Sequence, residues 1–325
     1  MSKFSCTSLQ PYLVLIVALC LTSCMRKEIP AAPHVAGDVT TATVDMNEDY
    51  KWQIFYSLKN NEIVSKNLRT DWDLGFECGA SGYHIITNTA RFMFAYNTGK
   101  TDFSAFALAD TVGFANGKNI DMPSSSLDST AIGDWRKRTP VYVVSNNDKQ
   151  IFKVQCLPAE RGYKVRFAKL NGGGGLEQTV VIKKDDNYNF MFLSLTAGNI
   201  INVEPPRASW DVVFTNYTHL FYDMNTPYSV TGCLLNRYNT IACMDSSVAF
   251  DQIDHILAAR YQLSPQINII GYNWKEYNLS KGIYITFTKM NYIVRTSDGV
   301  YYKLRFLDFA RNNVKGNPKW EFQAL

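Results

Sequence analysis

The chain says one thing twice, and this repeat restricts its fold more than any other feature. Phe55–Phe76 reads FYSLKNNEIVSKNLRTDWDLGF, and Phe192–Phe214 reads FLSLTAGNIINVEPPRASWDVVF. Both carry an aromatic-x-Ser-Leu run, a short polar turn, a β-branched pair and then Trp-Asp-(Leu/Val)-x-Phe. The second copy is one residue longer, between the β-branched pair and the tryptophan.

The similarity continues past the tryptophans. Ile132-Gly133-Asp134-Trp135 is echoed by Ile270-Gly271-Tyr272-Asn273-Trp274, and Tyr142-Val143-Val144 by Tyr292-Ile293-Val294. Arg161-Gly162 followed by Lys164–Phe167 is echoed by Lys315-Gly316 followed by Lys319–Phe322. Trp72 and Trp210 stand 138 positions apart, Trp135 and Trp274 139, and Lys153 and Lys303 150. The growing offset places an insertion of about eleven residues in copy two, between Trp274 and Tyr292, and insertions of that kind belong in loops. We read a tandem duplication: unit one over 47–170, a linker over 171–187 and unit two over 188–325.

Residues 1–23 contain a basic Lys3, the apolar run LVLIVALCL and then Leu21-Thr22-Ser23, followed by Cys24. The run is short for a membrane-spanning helix and sits where a signal-peptide core belongs. Leu-Thr-Ser-Cys resembles a bacterial lipobox, which implies a diacylated Cys24 as the first mature residue. Two acyl chains suffice for stable anchoring. Met25 is not the aspartate of inner-membrane retention, and Lys27-Glu28 partly matches a surface-export signal of Bacteroidetes lipoproteins. The outer membrane is the expected destination, at the cell surface or on its periplasmic side. Residues 24–46 lack apolar periodicity and read as a lipidated, solvated tether.

Losing residues 1–23 removes one lysine and leaves 32 basic against 29 acidic residues. That balance is no nucleic-acid footprint. The body reads as all-β, mainly antiparallel, with short β-branched and aromatic stretches that alternate between turns. YVVSNNDKQIFKV and YIVRTSDGVYYKLRF are hairpins, the second turning at Asp298-Gly299. Gly172–Gly175 is followed by Leu-Glu-Gln instead of Gly-Lys-Ser/Thr, so it is a flexible connection and no phosphate loop. Val248, Ile253, Ile256, Leu257 and Tyr261 follow helical spacing, which predicts one short helix of about three turns, capped by Ser246 or Ser247.

In the Trp-Asp strands the aromatics share one face, so Asp73 and Asp211 point the other way. Neither copy places a second acid where a general acid/base pair would need it, and each aspartate is read as a cap on a neighbouring turn. There is no nucleophile elbow and no triad pattern, which argues against an enzyme. No CxxC pair is present and histidines are few, so no metal site is expected. Cys233 and Cys243 flank a segment that, folded as a hairpin near Tyr238, would set them opposite each other; outside the cytoplasm that pair could oxidise to a disulfide.

Trp52–Phe76 followed by Glu77-Cys78-Gly79-Ala80-Ser81-Gly82 resembles the N-terminal half of the HmuY family of Bacteroidetes lipoproteins. The C-terminal YIVRTSDGVYYKLRFLDF with Lys315-Gly316 resembles the family's closing hairpin and last strand. The resemblance occurs once per unit. It implies an all-β fold, an outer-membrane lipid anchor, and capture of haem or a related porphyrin for delivery to a TonB-dependent receptor. The founding member holds haem iron between two histidines, one of them in the loop before the closing hairpin. The matching stretch here, Trp274–Thr286, has neither histidine nor methionine. His84, His219 and Met224 remain as candidate haem ligands, with His84 and His219 in similar loops of the two units. The competing class is a surface adhesion, structural or glycan-binding lipoprotein with the same scaffold and no haem.

Overall fold

The structure, a computed structural model, describes residues 35–325 apart from 81, 122–125, 222, 224 and 225. Cys24, the leader and Met224 therefore lie outside the described residues. The first copy supplies β1 (Thr40–Thr43), β2 (Trp52–Ser57), β3 (Glu62–Leu68), β4 (Leu74–Glu77), β5 (Ile85–Thr87), β6 (Phe94–Asn97), β7 (Asn119–Ile120), β8 (Val141–Ser145), β9 (Ile151–Ala159) and β10 (Gly162–Lys169). The second supplies β11 (Gln178–Lys183), β12 (Phe190–Ser194), β13 (Asn199–Ile201), β14 (Val212–Phe221), β15 (Thr226–Leu235) and β16 (Ile241–Asp245). It continues with β17 (Lys275–Asn278), β18 (Ile283–Thr286), β19 (Asn291–Arg295), β20 (Tyr301–Arg311) and β21 (Val314–Ala324). The pairings between these strands are antiparallel, so the all-β expectation holds.

The copies do not fold side by side; they exchange strands. One four-stranded sheet runs β15-β14-β2-β3 and another runs β5-β4-β12-β13. In each, the Trp-Asp strand of one copy lies against the aromatic-Ser strand of the other. The larger sheets repeat the exchange: β19, β20 and β21 take β1 at their edge, while β8, β9 and β10 take β11. Each copy's leading strand thus closes the other copy's sheet, leaving fewer unpaired backbone groups at an edge.

The recurring residues explain this. Asp73 Oδ2 accepts from the Leu195 amide at 2.7 Å, and Asp211 Oδ2 accepts from the Leu58 amide at 2.8 Å. Each aspartate caps the turn that follows the other copy's aromatic-x-Ser-Leu strand, as the alternation predicts. Ser57 and Ser194 accept from amides three residues on, at 3.2 Å in both copies. Asn88 Nδ2 donates to Trp72 O at 2.7 Å and Asn236 Nδ2 to Trp210 O at 2.8 Å. Trp72 meets Phe192 edge to face at 4.7 Å, and Trp210 meets Phe55 the same way at 4.8 Å. Such aromatic pairs add about 0.5–1.5 kcal/mol each beyond the area they bury. The largest core accordingly mixes the copies, gathering Ile54 and Phe55 with Trp210, Phe214 and Trp320.

Four expectations change. The tether ends earlier than residue 46: β1 is paired to β21, Val44 and Met46 are buried, and Ala36–Leu325 is one compact unit. The proposed linker over 171–187 contains β11, paired with β10. Both strands are sheet edges: β1 is only Thr and Ala, and β11 carries the apolar run Val-Val-Ile without strict alternation, which hid them. The helix is a single turn, His255–Ala258, capped by the Asp254 carboxylate, with the extended Asp254 backbone separating it from a 3-10 turn at Phe250–Gln252. Ile253, Leu257 and Tyr261 still gather with Ile293 and Leu325 in one small core. Finally, Cys233 and Cys243 are free thiols. They sit in β15 and β16, which belong to different sheets, so no hairpin brings them together.

Candidate functional site: an aromatic cleft where the copies differ

The two copies diverge most in two places, and a cleft lies between them. β14 and β15 have ten residues each, against four and three in their counterparts β4 and β5. The insertion signalled by the growing offset forms the β17–β18 hairpin. Its approach is fixed by backbone contact: Cys233 and Gly271 exchange amide hydrogen bonds at 2.9 Å in both directions. Gly232 permits this, since a Cβ there would stand 2.2 Å from Gly271 O. Gly271 itself has φ +58°, a left-handed turn that glycine accepts without strain. The chain is thereby aimed along β15, carrying Tyr272, Trp274 and Lys275 to the site.

The cleft encloses about 500 Å³. It is lined by Phe221, Tyr228, Val230, Asn216 and Thr231 of the β14–β15 pair, by Tyr272, Tyr277, Tyr284 and Phe287 of the following segment, and by Tyr50. The rings brace one another. Tyr277 and Tyr284 are 5.0 Å apart by centroids, Tyr284 and Phe309 4.7 Å, and Tyr50 Oη lies 3.4 Å from Tyr284 Oη. Desolvation, with the Tyr284 hydroxyl beside it, holds the Tyr50 phenol well above its usual value. Trp274, next to the lining residue Lys275, stacks on Phe306 at 3.8 Å. A wall of this kind offers flat apolar faces with phenolic hydroxyls at their rims, suited to a planar, partly polar ligand.

Lys275 is part of the lining. The residue is only 8% exposed, and its Nζ donates to Thr231 O at 2.5 Å. Nζ lies 4.3 Å from the Trp274 ring centroid and 4.5 Å from that of Phe309. Desolvation lowers the amine to about 7.

The candidate ligands fare differently. His219 sits on β14 beside the cleft, its ring 4.9 Å from that of Phe221 and 5.1 Å from that of Tyr272, both of which line it. Desolvation lowers its pKa, so the imidazole is neutral at pH 7. His84 is elsewhere, in a small polar pocket with Asp128, Asp134 and Arg136. Its Nδ1 is 2.6 Å from Glu77 and its Nε2 3.1 Å from Asp128, so both ring nitrogens are engaged. The expectation of similar loops is also corrected. Phe76 pairs with Ile85 and Phe214 with Cys233, so the counterpart of His84 is Gly232, not His219. Met224 lies outside the described residues. Among those described, no cluster of three potential metal ligands occurs.

Sequence reasoning missed Tyr272, Lys275 and Tyr284. The available signal was the offset jump between Trp274 and Tyr292, which marked where copy two carries something copy one lacks.

The described residues thus form an interleaved, antiparallel all-β scaffold with a tyrosine-lined cleft. The family model described as HmuY protein matches residues 49–131 and 186–322, more than half of the chain, with one segment in each copy. The chain belongs to the HmuY family. Solved structures similar to it include the apo HmuY analogue of Tannerella forsythia, at 13% identity over 90% of this chain and 98% of that one, with a TM-score of 0.25. Another is a HmuY-like protein of Bacteroides vulgatus, provisionally described as heme-binding, at 13% identity over 87% and 90%, with a TM-score of 0.23. A third is apo PinO from Porphyromonas gingivitis, at 9% identity over 89% and 97%, with a TM-score of 0.25. No curated relative matches the chain.

Proposed function

We propose that this protein is a non-catalytic, lipid-anchored binding protein of the outer membrane that holds a porphyrin, haem included, in the aromatic cleft. It passes that ligand to a TonB-dependent receptor. The observation that carries the reading is the cleft itself: seven phenyl and phenol rings around about 500 Å³, built largely by the lengthened β14–β15 pair and the β17–β18 hairpin of the second copy. Membership of the HmuY family and the heme-binding description of the Bacteroides vulgatus relative favour this ligand class. The lipobox-like Leu-Thr-Ser-Cys24 supports the anchor, and among the described residues no helix is long and apolar enough to cross a membrane.

The residues present fit a porphyrin ring and offer iron one imidazole. Tyr272, Tyr284 and Phe221 would stack on the macrocycle, and His219, whose ring packs against Tyr272 and Phe221, would offer the iron a nitrogen donor. Haem would supply the iron coordination; the protein supplies the apolar faces and excludes water. With His84 held by two carboxylates, a bis-histidine site is not proposed.

The test is a haemin titration of the chain lacking residues 1–24. A saturable Soret shift is expected, with a high-spin, one-nitrogen spectrum that His219→Ala removes while metal-free porphyrin binding persists. Tyr272→Ala and Tyr284→Ala should each weaken binding roughly tenfold, the scale of a lost stacking contact of about 1–1.5 kcal/mol. A flat titration would sink the porphyrin reading and leave the same aromatic wall for glycan contact.

A further inference from the structure

The cleft contains a buried lysine with no carboxylate paired to it among the described residues. Among its described lining residues only Lys275 and Glu276 are charged. Glu276 is the next residue along β17 and is exposed, and burial is what lowers the Lys275 amine. The equivalent problem is solved differently elsewhere in the fold. Lys153 Nζ donates to both Phe103 O and Phe106 O, and Lys303, also buried, gives its Nζ to Ile253 O with Asp251 and Asp254 near enough to favour its charge. Lys275 has one carbonyl, Thr231 O, and the faces of Trp274 and Phe309.

An ammonium has three protons to donate. One goes to Thr231 O, and rings satisfy the remainder only weakly. A buried charge left in this state is costly, and an anion drawn into the same site relieves the cost through a charge-assisted hydrogen bond. The position lines an open cleft, so such an anion can arrive only on a ligand.

We infer that Lys275 is the anion anchor of the cleft: its ligand carries a carboxylate that accepts a hydrogen bond from Nζ while the flat body of the ligand packs between Tyr272 and Tyr284. This rests on the cleft being the binding site, as proposed above. It adds that the cleft selects ligands by charge as well as by shape, and that the carboxylate enters first and lies deepest.

The experiment compares metal-free protoporphyrin IX, which has two carboxylates, with its neutral dimethyl ester, by quenching of intrinsic fluorescence in the chain lacking residues 1–24. The free acid is expected to bind roughly ten- to a hundredfold more tightly than the ester, the usual scale of a hydrogen bond to a charged group. Lys275→Met should bring the acid down to the level of the ester, leave the ester unchanged, and keep or raise the thermal midpoint. A purely structural lysine would instead lower the midpoint and weaken both probes alike. Equal binding of acid and ester by the wild type, or a Lys275→Met variant that still prefers the acid, overturns the anchor while leaving the cleft reading intact. Binding of neither probe overturns both. Should Lys275→Met not fold, the acid-to-ester ratio of the wild type decides, because Lys275 is the one cation among the described lining residues.

Discussion

At the scale of single residues, the duplicated aspartates show how one motif acquires two electrostatic characters. Asp73 is fully buried and paired with Arg91, whose Nη1 lies 2.6 Å from Oδ1. Asp211 fills the same place in the second copy, but the position of Arg91 is taken there by Asn239. Burial raises both carboxyls, with Arg91 opposing it at Asp73, and Asp211, which has no such partner, is pushed up to about 6. Asp73→Ala should cost about 3 kcal/mol or more in a denaturation experiment, because Arg91 is left buried with only the exposed Asp148. Asp211 should show itself through pH. Its folded pKa lies above the ordinary value near 4, so its stabilising effect is complete below about pH 4 and is lost as pH rises through about 6. Denaturation of Asp211→Asn across pH 4 to 8 should lack that decline; a decline equal to the wild type's would assign it to another group.

Secondary-structure elements divide into those common to both copies and those private to the second. The common ones, such as the β2–β3 and β12–β13 hairpins, build the scaffold. The private β17–β18 hairpin and the longer β14–β15 pair build the cleft. The first copy connects Trp135 to β8 without any such hairpin, so the scaffold does not need it. Replacing residues 277–284 by a two-residue turn should leave the β-rich circular dichroism spectrum in place and abolish porphyrin binding. Loss of the fold instead would make the hairpin part of the core. Elements were legible in the sequence where alternation was strong, as in β8–β9 and β19–β20. They were obscured where a strand is a polar edge, as with Thr40–Thr43, or where an apolar cluster is assembled from separate turns, as with Ile253 and Leu257.

For the whole molecule, strand exchange has a direct consequence. A chain of residues 36–170 lacks β12 for β4 and β14 for β2, and a chain of 171–325 lacks the reciprocal partners. Each half would expose Trp72 or Trp210 and an unpaired sheet edge. Neither half should give a cooperative unfolding transition alone, while co-expressed halves should associate and fold; a half that folds by itself would contradict the interleaving. The sequence by itself determined the β class, the duplication and the capping role of Asp73 and Asp211, because alternation and local turn chemistry act over a few residues. It also marked the insertion that became the wall of the cleft. Only the tertiary structure decided that the copies interlock, that Cys233 and Cys243 lie in different sheets, and that His84 is taken by Glu77 and Asp128 while His219 packs against the lining rings of Phe221 and Tyr272. It alone shows Lys275 buried with no carboxylate paired to it among the described residues. Those outcomes depend on which strands meet across more than a hundred residues, and no local pattern encodes a partner at that distance.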